Sequence, residues 1–140
     1  MSTSTNGGCL CGAVRYQATA DTLARTLCHC RSCRLASGGP SLAWAVFPSD
    51  AFSFTTGTPA TFASSPGVTR TFCDRCGTAL TWQQSSRMES IDVTTATLDN
   101  PDAFAPTREI WVEHKLAWEA LNPSLEHYAR SSVGAAPIAG

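Results

Sequence analysis

The chain has 140 residues, 43% of them hydrophobic and 15% charged, with ten Lys and Arg against eleven Asp and Glu and a formal net charge of −1. That length fits one domain around one core. The even charge balance argues against nucleic acid as a partner and against attraction to an anionic membrane surface.

The polar opening, residues 1–7, reads as a flexible lead. It lacks the apolar segment of a secretory signal, so the expected location is cytoplasmic. Residues 13–18 (Ala-Val-Arg-Tyr-Gln-Ala) alternate and are rich in strand formers. A turn of helix is expected over 33–37, ended by Gly38-Gly39. The apolar run 42–47, bounded by Gly-Gly-Pro-Ser and Pro48, reads as a strand, as does the alternating 52–55. The uncharged stretch 51–69 approaches membrane length, but its Thr, Ser, Pro and Gly content excludes a spanning helix. Further strands are expected over 68–72, 80–82, 90–95 and 108–112, and a second helical turn over 115–121, ended by Asn122-Pro123. Residues 131–140 read as a flexible tail. Many short strands with few helices point to a mainly β protein of stacked, short antiparallel sheets, its domain spanning 8–130.

The seven cysteines carry most of the information. An odd count in three tight groups, in a compartment that keeps thiols reduced, fits metal ligation better than a disulfide framework. Zinc takes four tetrahedral ligands and suits thiolates. Cys9 and Cys11 form one chelating pair, and Cys73 and Cys76 form another; each pair is followed by Gly, which tolerates the positive φ of a tight knuckle. Backbone N–H groups in such turns can point at the sulfurs and spread their charge. The two knuckles therefore fit one structural zinc. Unligated core cysteines are the bland alternative.

Cys28, Cys30 and Cys33 supply three thiols and leave a tetrahedral corner open, as catalytic zinc sites do. The competing reading closes that corner with a distant histidine, His114 or His127, since His29 sits between two ligands and would point away. Arg31 and Arg34 flank the group and suit an acidic substrate, and the 38–41 loop suits a pocket wall. Trp44, Trp82, Trp111 and Trp118 read as core anchors, and Glu113 as a solvated charge.

Three segments together resemble a known family. Residues 8–16 (Gly-Cys-Leu-Cys-Gly-Ala-Val-Arg-Tyr), 28–34 (Cys-His-Cys-Arg-Ser-Cys-Arg) and 70–78 (Arg-Thr-Phe-Cys-Asp-Arg-Cys-Gly-Thr) are similar, in order and spacing, to the motifs of the glutathione-dependent formaldehyde-activating enzymes, a family that includes centromere protein V. The resemblance implies a β fold with zinc knuckles. It implies two zinc ions per chain: a structural one on Cys9, Cys11, Cys73 and Cys76, and a catalytic one on Cys28, Cys30 and Cys33. It further implies a carbon–sulfur lyase that acts on glutathione and a small aldehyde such as formaldehyde. The rivals are a non-enzymatic binding module with two structural zincs, and a redox or metal-reserve protein whose three-cysteine site loses its metal on oxidation.

Overall fold

A computed structural model of the protein describes residues 4–138. The outermost residues of the expected lead and tail, 1–3 and 139–140, lie outside them. Eleven strands and one α-helix are present among the described residues: β1 Thr5–Gly8, β2 Arg15–Ala18, β3 Ala24–Cys28, α1 Arg31–Ser37, β4 Leu42–Pro48, β5 Phe52–Thr56, β6 Ala60–Ser65, β7 Val68–Phe72, β8 Ala79–Gln84, β9 Ser90–Thr94, β10 Arg108–Ile110 and β11 Glu126–His127. The protein is mainly β.

The strands form two sheets. A three-stranded antiparallel sheet has the order β1-β2-β5, and an eight-stranded sheet has the order β11-β10-β3-β4-β9-β8-β7-β6. The large sheet is antiparallel from β3 to β6, while β10 runs parallel to β3 and β11 parallel to β10. Alternation gives each strand two faces. Tyr16 and Ala18 of β2 turn inward and meet Ala45 and Phe47 of β4 and Ile91 and Val93 of β9, all in one buried cluster. Leu80 joins that cluster because the β7–β8 pairing skips it: Thr71 faces Thr81 and Phe72 faces Ala79. Such an extra residue re-aims a side chain. Phe47 is fully buried, and truncating it to Ala would cost about 3–5 kcal/mol. The core therefore lies between the small sheet and one face of the large one. The opposite face of the large sheet is left to form a site.

Several expectations are corrected. The polar lead is a strand from Thr5 onward, paired with β2 from Thr5↔Ala18 to Gly8↔Arg15. The second helical turn does not form. Residues 115–121 make an irregular turn held by the Lys115 ammonium, which donates to the carbonyls of Leu116 and Glu119 at 3.3 and 3.0 Å. Trp118 in that turn is 72% exposed and anchors no core. The start of the expected tail also has a fixed place: Ser131, Ser132 and Val133 line the cavity described below, and the Ile138 N–H donates to the His127 carbonyl at 2.7 Å. Glu113, by contrast, is the exposed charge expected, in a surface ion pair with Arg130.

Candidate metal centres and cavity

The first cysteine pair occupies the turn between β1 and β2, and the second occupies the turn between β7 and β8. Gly12 and Gly77 close the two turns at φ 81° and 79°, as their place after each pair requires. The Cys9 N–H donates to the Val14 carbonyl and the Cys73 N–H to that of Thr78, both at 3.0 Å. These bonds fold each knuckle onto the strand that follows it. The Thr78 hydroxyl then stitches the knuckles together, accepting from the Leu10 N–H at 3.1 Å and lying 3.2 Å from Cys76 Sγ.

The four sulfurs of Cys9, Cys11, Cys73 and Cys76 lie within 4.8 Å of one another. Cys11 Sγ is 3.6 Å from Cys9 Sγ and 3.7 Å from Cys73 Sγ. With zinc–sulfur bonds of about 2.3 Å, the edge of a tetrahedral site is about 3.8 Å, so these spacings fit one ion. Backbone N–H groups of Val14 and Arg75 point at Cys9 Sγ and Cys73 Sγ at 3.3 and 3.4 Å, as expected of thiolates that share charge with their turn. The hydroxyl and backbone of Thr78 hold the Cys76 thiol down to about 5.

Cys28, Cys30 and Cys33 form a second group, with sulfurs again within 4.8 Å of one another. All three come from one short segment. Cys28 ends β3, Cys30 caps α1 by accepting from the Cys33 N–H at 3.3 Å, and Cys33 lies buried inside α1. Sequence predicts this helix from Cys33; it starts at Arg31, because the Cys30 sulfur takes the place of the oxygen that usually caps a helix. Trp44 Nε1 donates to Cys33 Sγ at 3.4 Å. Contacts with Cys28 and Cys33 hold the Cys30 thiol well below the ordinary range, while contacts with Cys30 and Cys33, together with burial, push the Cys28 thiol up.

His29 points away from these sulfurs. Its ring is fully buried, with Nε2 2.7 Å from Glu109 Oε1. The other carboxylate oxygen accepts from the Asn122 N–H at 2.8 Å and lies 3.1 Å from His127 Nε2. The His29 N–H also donates to the Ile110 carbonyl at 3.0 Å. The residue between two of the cysteines is therefore bolted to β10 through both backbone and side chain. His127 is engaged with Glu109 and the Asn122 carbonyl. His114 lies against Trp111 and Glu113. Neither histidine is among the donor atoms gathered with the three sulfurs.

What the three sulfurs do face is a cavity of about 640 Å³ on the outer face of the large sheet, within the usual range for small-molecule sites. Trp44, Trp82, Ile110 and Trp111 pack around the cysteines, and the cavity continues past them to Val46, Asp92, Arg70 and Arg87. Trp111 adopts a left-handed backbone, φ 58°, which a bulky residue rarely does. Its N–H donates to the Arg130 carbonyl at 3.1 Å, which helps hold it there. Arg31 lines the cavity; Arg34 and the 38–41 loop do not. Trp82 and Trp111 are thus cavity walls rather than core anchors. Sequence reasoning missed Arg70, Asp92 and Glu109. Each sits in a strand at alternating period, and only the register of the sheet shows which face it takes.

A sequence profile of the family described as glutathione-dependent formaldehyde-activating enzyme matches residues 4–114, which hold all seven cysteines. An uncharacterized lyase from Schizosaccharomyces pombe is 32% identical over 74 residues, 53% of this chain and 53% of that one. The chain thus aligns with about half the length of that curated relative. A Rhodobacter sphaeroides protein of known crystal structure is similar with a TM-score of 0.57 and 24% identity, covering 67% of this chain and 87% of that one; this likeness bears on the fold.

Proposed function

The chain belongs to the glutathione-dependent formaldehyde-activating enzyme family, and from that premise we propose that it is a zinc-dependent carbon–sulfur lyase acting on the adduct of a thiol, glutathione, with a small aldehyde such as formaldehyde. The observation that carries this reading is the three-sulfur group opening onto the cavity with no fourth donor gathered to it among the described residues. The lyase name of the Schizosaccharomyces pombe relative supports the same class of reaction.

Cys9, Cys11, Cys73 and Cys76 would hold a structural zinc, and Cys28, Cys30 and Cys33 a catalytic one. A zinc bound by three thiolates supplies an open soft position and lowers the pKa of a thiol that takes it. In the joining direction, the thiolate sulfur donates an electron pair to the aldehyde carbon. The C–S bond forms, the carbonyl π pair moves to oxygen, and that oxygen takes a proton. The lyase direction is the reverse. The residues of the chain prepare this step by position. Trp44, Trp82 and Trp111 limit water around the reacting sulfur. Arg31 offers a positive charge at the cavity edge for a carboxylate of the thiol.

Cobalt replacement tests the reading, because sulfur-to-cobalt charge-transfer bands report the number of thiolate ligands. Glutathione should strengthen those bands, and S-methylglutathione, which has no thiol, should leave them unchanged. An unchanged spectrum with both, together with His114 or His127 on the metal, would replace the enzyme by a binding module with two structural metals.

A further inference from the structure

The pairing register arranges a row of side chains on the cavity face of the large sheet. Arg70 lies opposite Trp82, Trp82 opposite Asp92, and Asp92 opposite Val46. All four line the cavity. Asp92 interrupts an otherwise strand-forming sequence whose neighbours Ile91 and Val93 fill the core. Aspartate is a poor strand former, and a carboxylate set beside Trp82 and Val46 is costly unless it is paired. The Asp92 carboxylate makes no hydrogen bond or ion pair with any described residue; burial pushes it up to about 7. Arg87 offsets that cost only in part. A ligand that brings a positive charge into the cavity would complete the offset.

The same register sets how far Asp92 lies from the cysteines. Cys28 faces Leu42, four residues along β4 from Val46, and β9 is one strand beyond β4. Two strand spacings across and four residues along separate the Cα atoms of Cys28 and Asp92 by roughly 16 Å. Asp92 is therefore out of reach of an atom bonded to a sulfur held at the cysteine group. With both side chains reaching into the cavity, the remaining gap suits the far end of a tripeptide-sized thiol, roughly 10 Å from its sulfur.

The charges along the cavity narrow the chemistry of that far end. Arg70 from β7 and Arg87 from the turn after β8 face the same space as Asp92, with Glu89 beside them. A bare amine would meet two guanidinium groups, and a bare carboxylate would leave Asp92 without a partner. A zwitterionic α-amino-acid head satisfies both. Arg70 donates through Nε to Ser64 Oγ at 3.1 Å, which leaves its terminal nitrogens for a carboxylate.

We propose that Asp92 is the specificity residue for the thiol. It receives the α-ammonium group of the γ-glutamyl end of the substrate, and Arg70 takes the adjacent carboxylate. This inference rests on the thiol reading of the three-cysteine site and extends it to the opposite end of the cavity.

Calorimetry on zinc-loaded protein tests it with three thiols: glutathione, its desamino analogue glutaryl-cysteinylglycine, and 2-mercaptoethanol. Wild-type protein should bind glutathione at least tenfold more tightly than the desamino analogue. D92N should abolish that ratio while leaving the affinity for 2-mercaptoethanol unchanged. A wild-type ratio near one overturns the inference without recourse to any variant, and so does a ratio that survives in D92N protein with full metal content. Binding of 2-mercaptoethanol in these cases would leave the thiol reading standing. If wild-type protein binds none of the three, the thiol reading falls and this inference falls with it.

Discussion

At the four-cysteine group the sulfurs arrive from two sheets: Cys9 and Cys11 from the small one, Cys73 and Cys76 from the large one. At the three-cysteine group they arrive from one stretch of six residues at the end of β3 and the start of α1. An ion at the first group would tie together chain segments more than sixty residues apart, and its coordination would be complete. An ion at the second would order a single turn already fixed by a helix cap and a buried histidine, and its coordination would be open to the cavity. Exposure does not separate the two, since Cys11 is exposed while Cys28 and Cys33 are buried. Connectivity and closure do. On the proposed function, the same donor would serve cohesion where it bridges sheets and chemistry where a corner is left open.

Removing one sulfur from each group should affect the protein very differently. Cys73→Ser should prevent stable folding, because a structural zinc contributes on the order of 10 kcal/mol in small domains. Cys30→Ser should leave a folded protein with about one zinc in place of two and no thiol-dependent cobalt spectrum. Thermal melts and elemental analysis decide the matter. Equal loss of the melting transition in both variants would make the second site structural as well.

That contrast is partly legible in the sequence, and for a physical reason. Metal ligands with short spacing are local, so the pairs at Cys9 and Cys73, the trio at Cys28, and the glycines that close the knuckles can be read directly. Strands 42–47, 52–55 and 68–72 are legible because apolar runs or alternation sit between Gly, Pro and Ser punctuation. β1 is hidden by Asn6-Gly7-Gly8, which carries no apolar signal, and β6 by an edge position that leaves most of its side chains exposed. The failed helix at 115–121 shows the opposite error. Its Leu, Ala, Trp and Glu favour a helix, yet the chain turns there so that Asn122 can reach Glu109. Glu109, Arg70 and Asp92 are illegible because their roles depend on which strand lies beside which, and nothing local encodes that order.

The buried pair under the three-cysteine turn offers a second, smaller test. Glu109→Gln removes the charge that His29, His127 and Asn122 share, and hydrogen bonds to a charged group are worth about 1.5–3 kcal/mol each. A loss of about 2–3 kcal/mol in chemical denaturation is expected. The loss should fall unevenly between the two sites. Stepwise chelation should release metal from the three-cysteine group faster than in wild type, while release from the four-cysteine group is unchanged. Equal acceleration at both would mean that Glu109 stabilises the fold without favouring either site.

At the far end of the cavity, Asp92 ties stability to pH. Its carboxyl is raised from the ordinary value to about 7, so between about pH 4 and pH 7 the folded state holds a proton that the unfolded state has released. Stability from this group is therefore full at low pH, falls as pH rises through that window, and is flat above it. Asp92→Asn removes the slope. Wild type should lose about 1–2 kcal/mol more than this variant between about pH 5.5 and pH 8, the shift being discounted for the solvent that reaches the cavity. Urea denaturation of both proteins at the two values measures the difference, and metal loss common to both cancels. Parallel curves would show that Asp92 is already ionised and solvated in the free protein.

The smallest expected effect separates the two arginines that flank the cysteine trio. Sequence spacing treats Arg31 and Arg34 alike, but Arg31 lines the cavity and Arg34 does not. Arg31 is exposed, so a pairing with a substrate carboxylate is worth at most about 1 kcal/mol and is screened by salt. Arg31→Ala should weaken glutathione binding by up to about fivefold at low ionic strength, and by less as salt is added. Arg34→Ala should leave binding unchanged at every salt concentration. Titrations across an ionic-strength series read both. A salt-dependent loss in the Arg34 variant would mean that the thiol approaches from the opposite side of α1, and the cavity would no longer account for how the substrate is held.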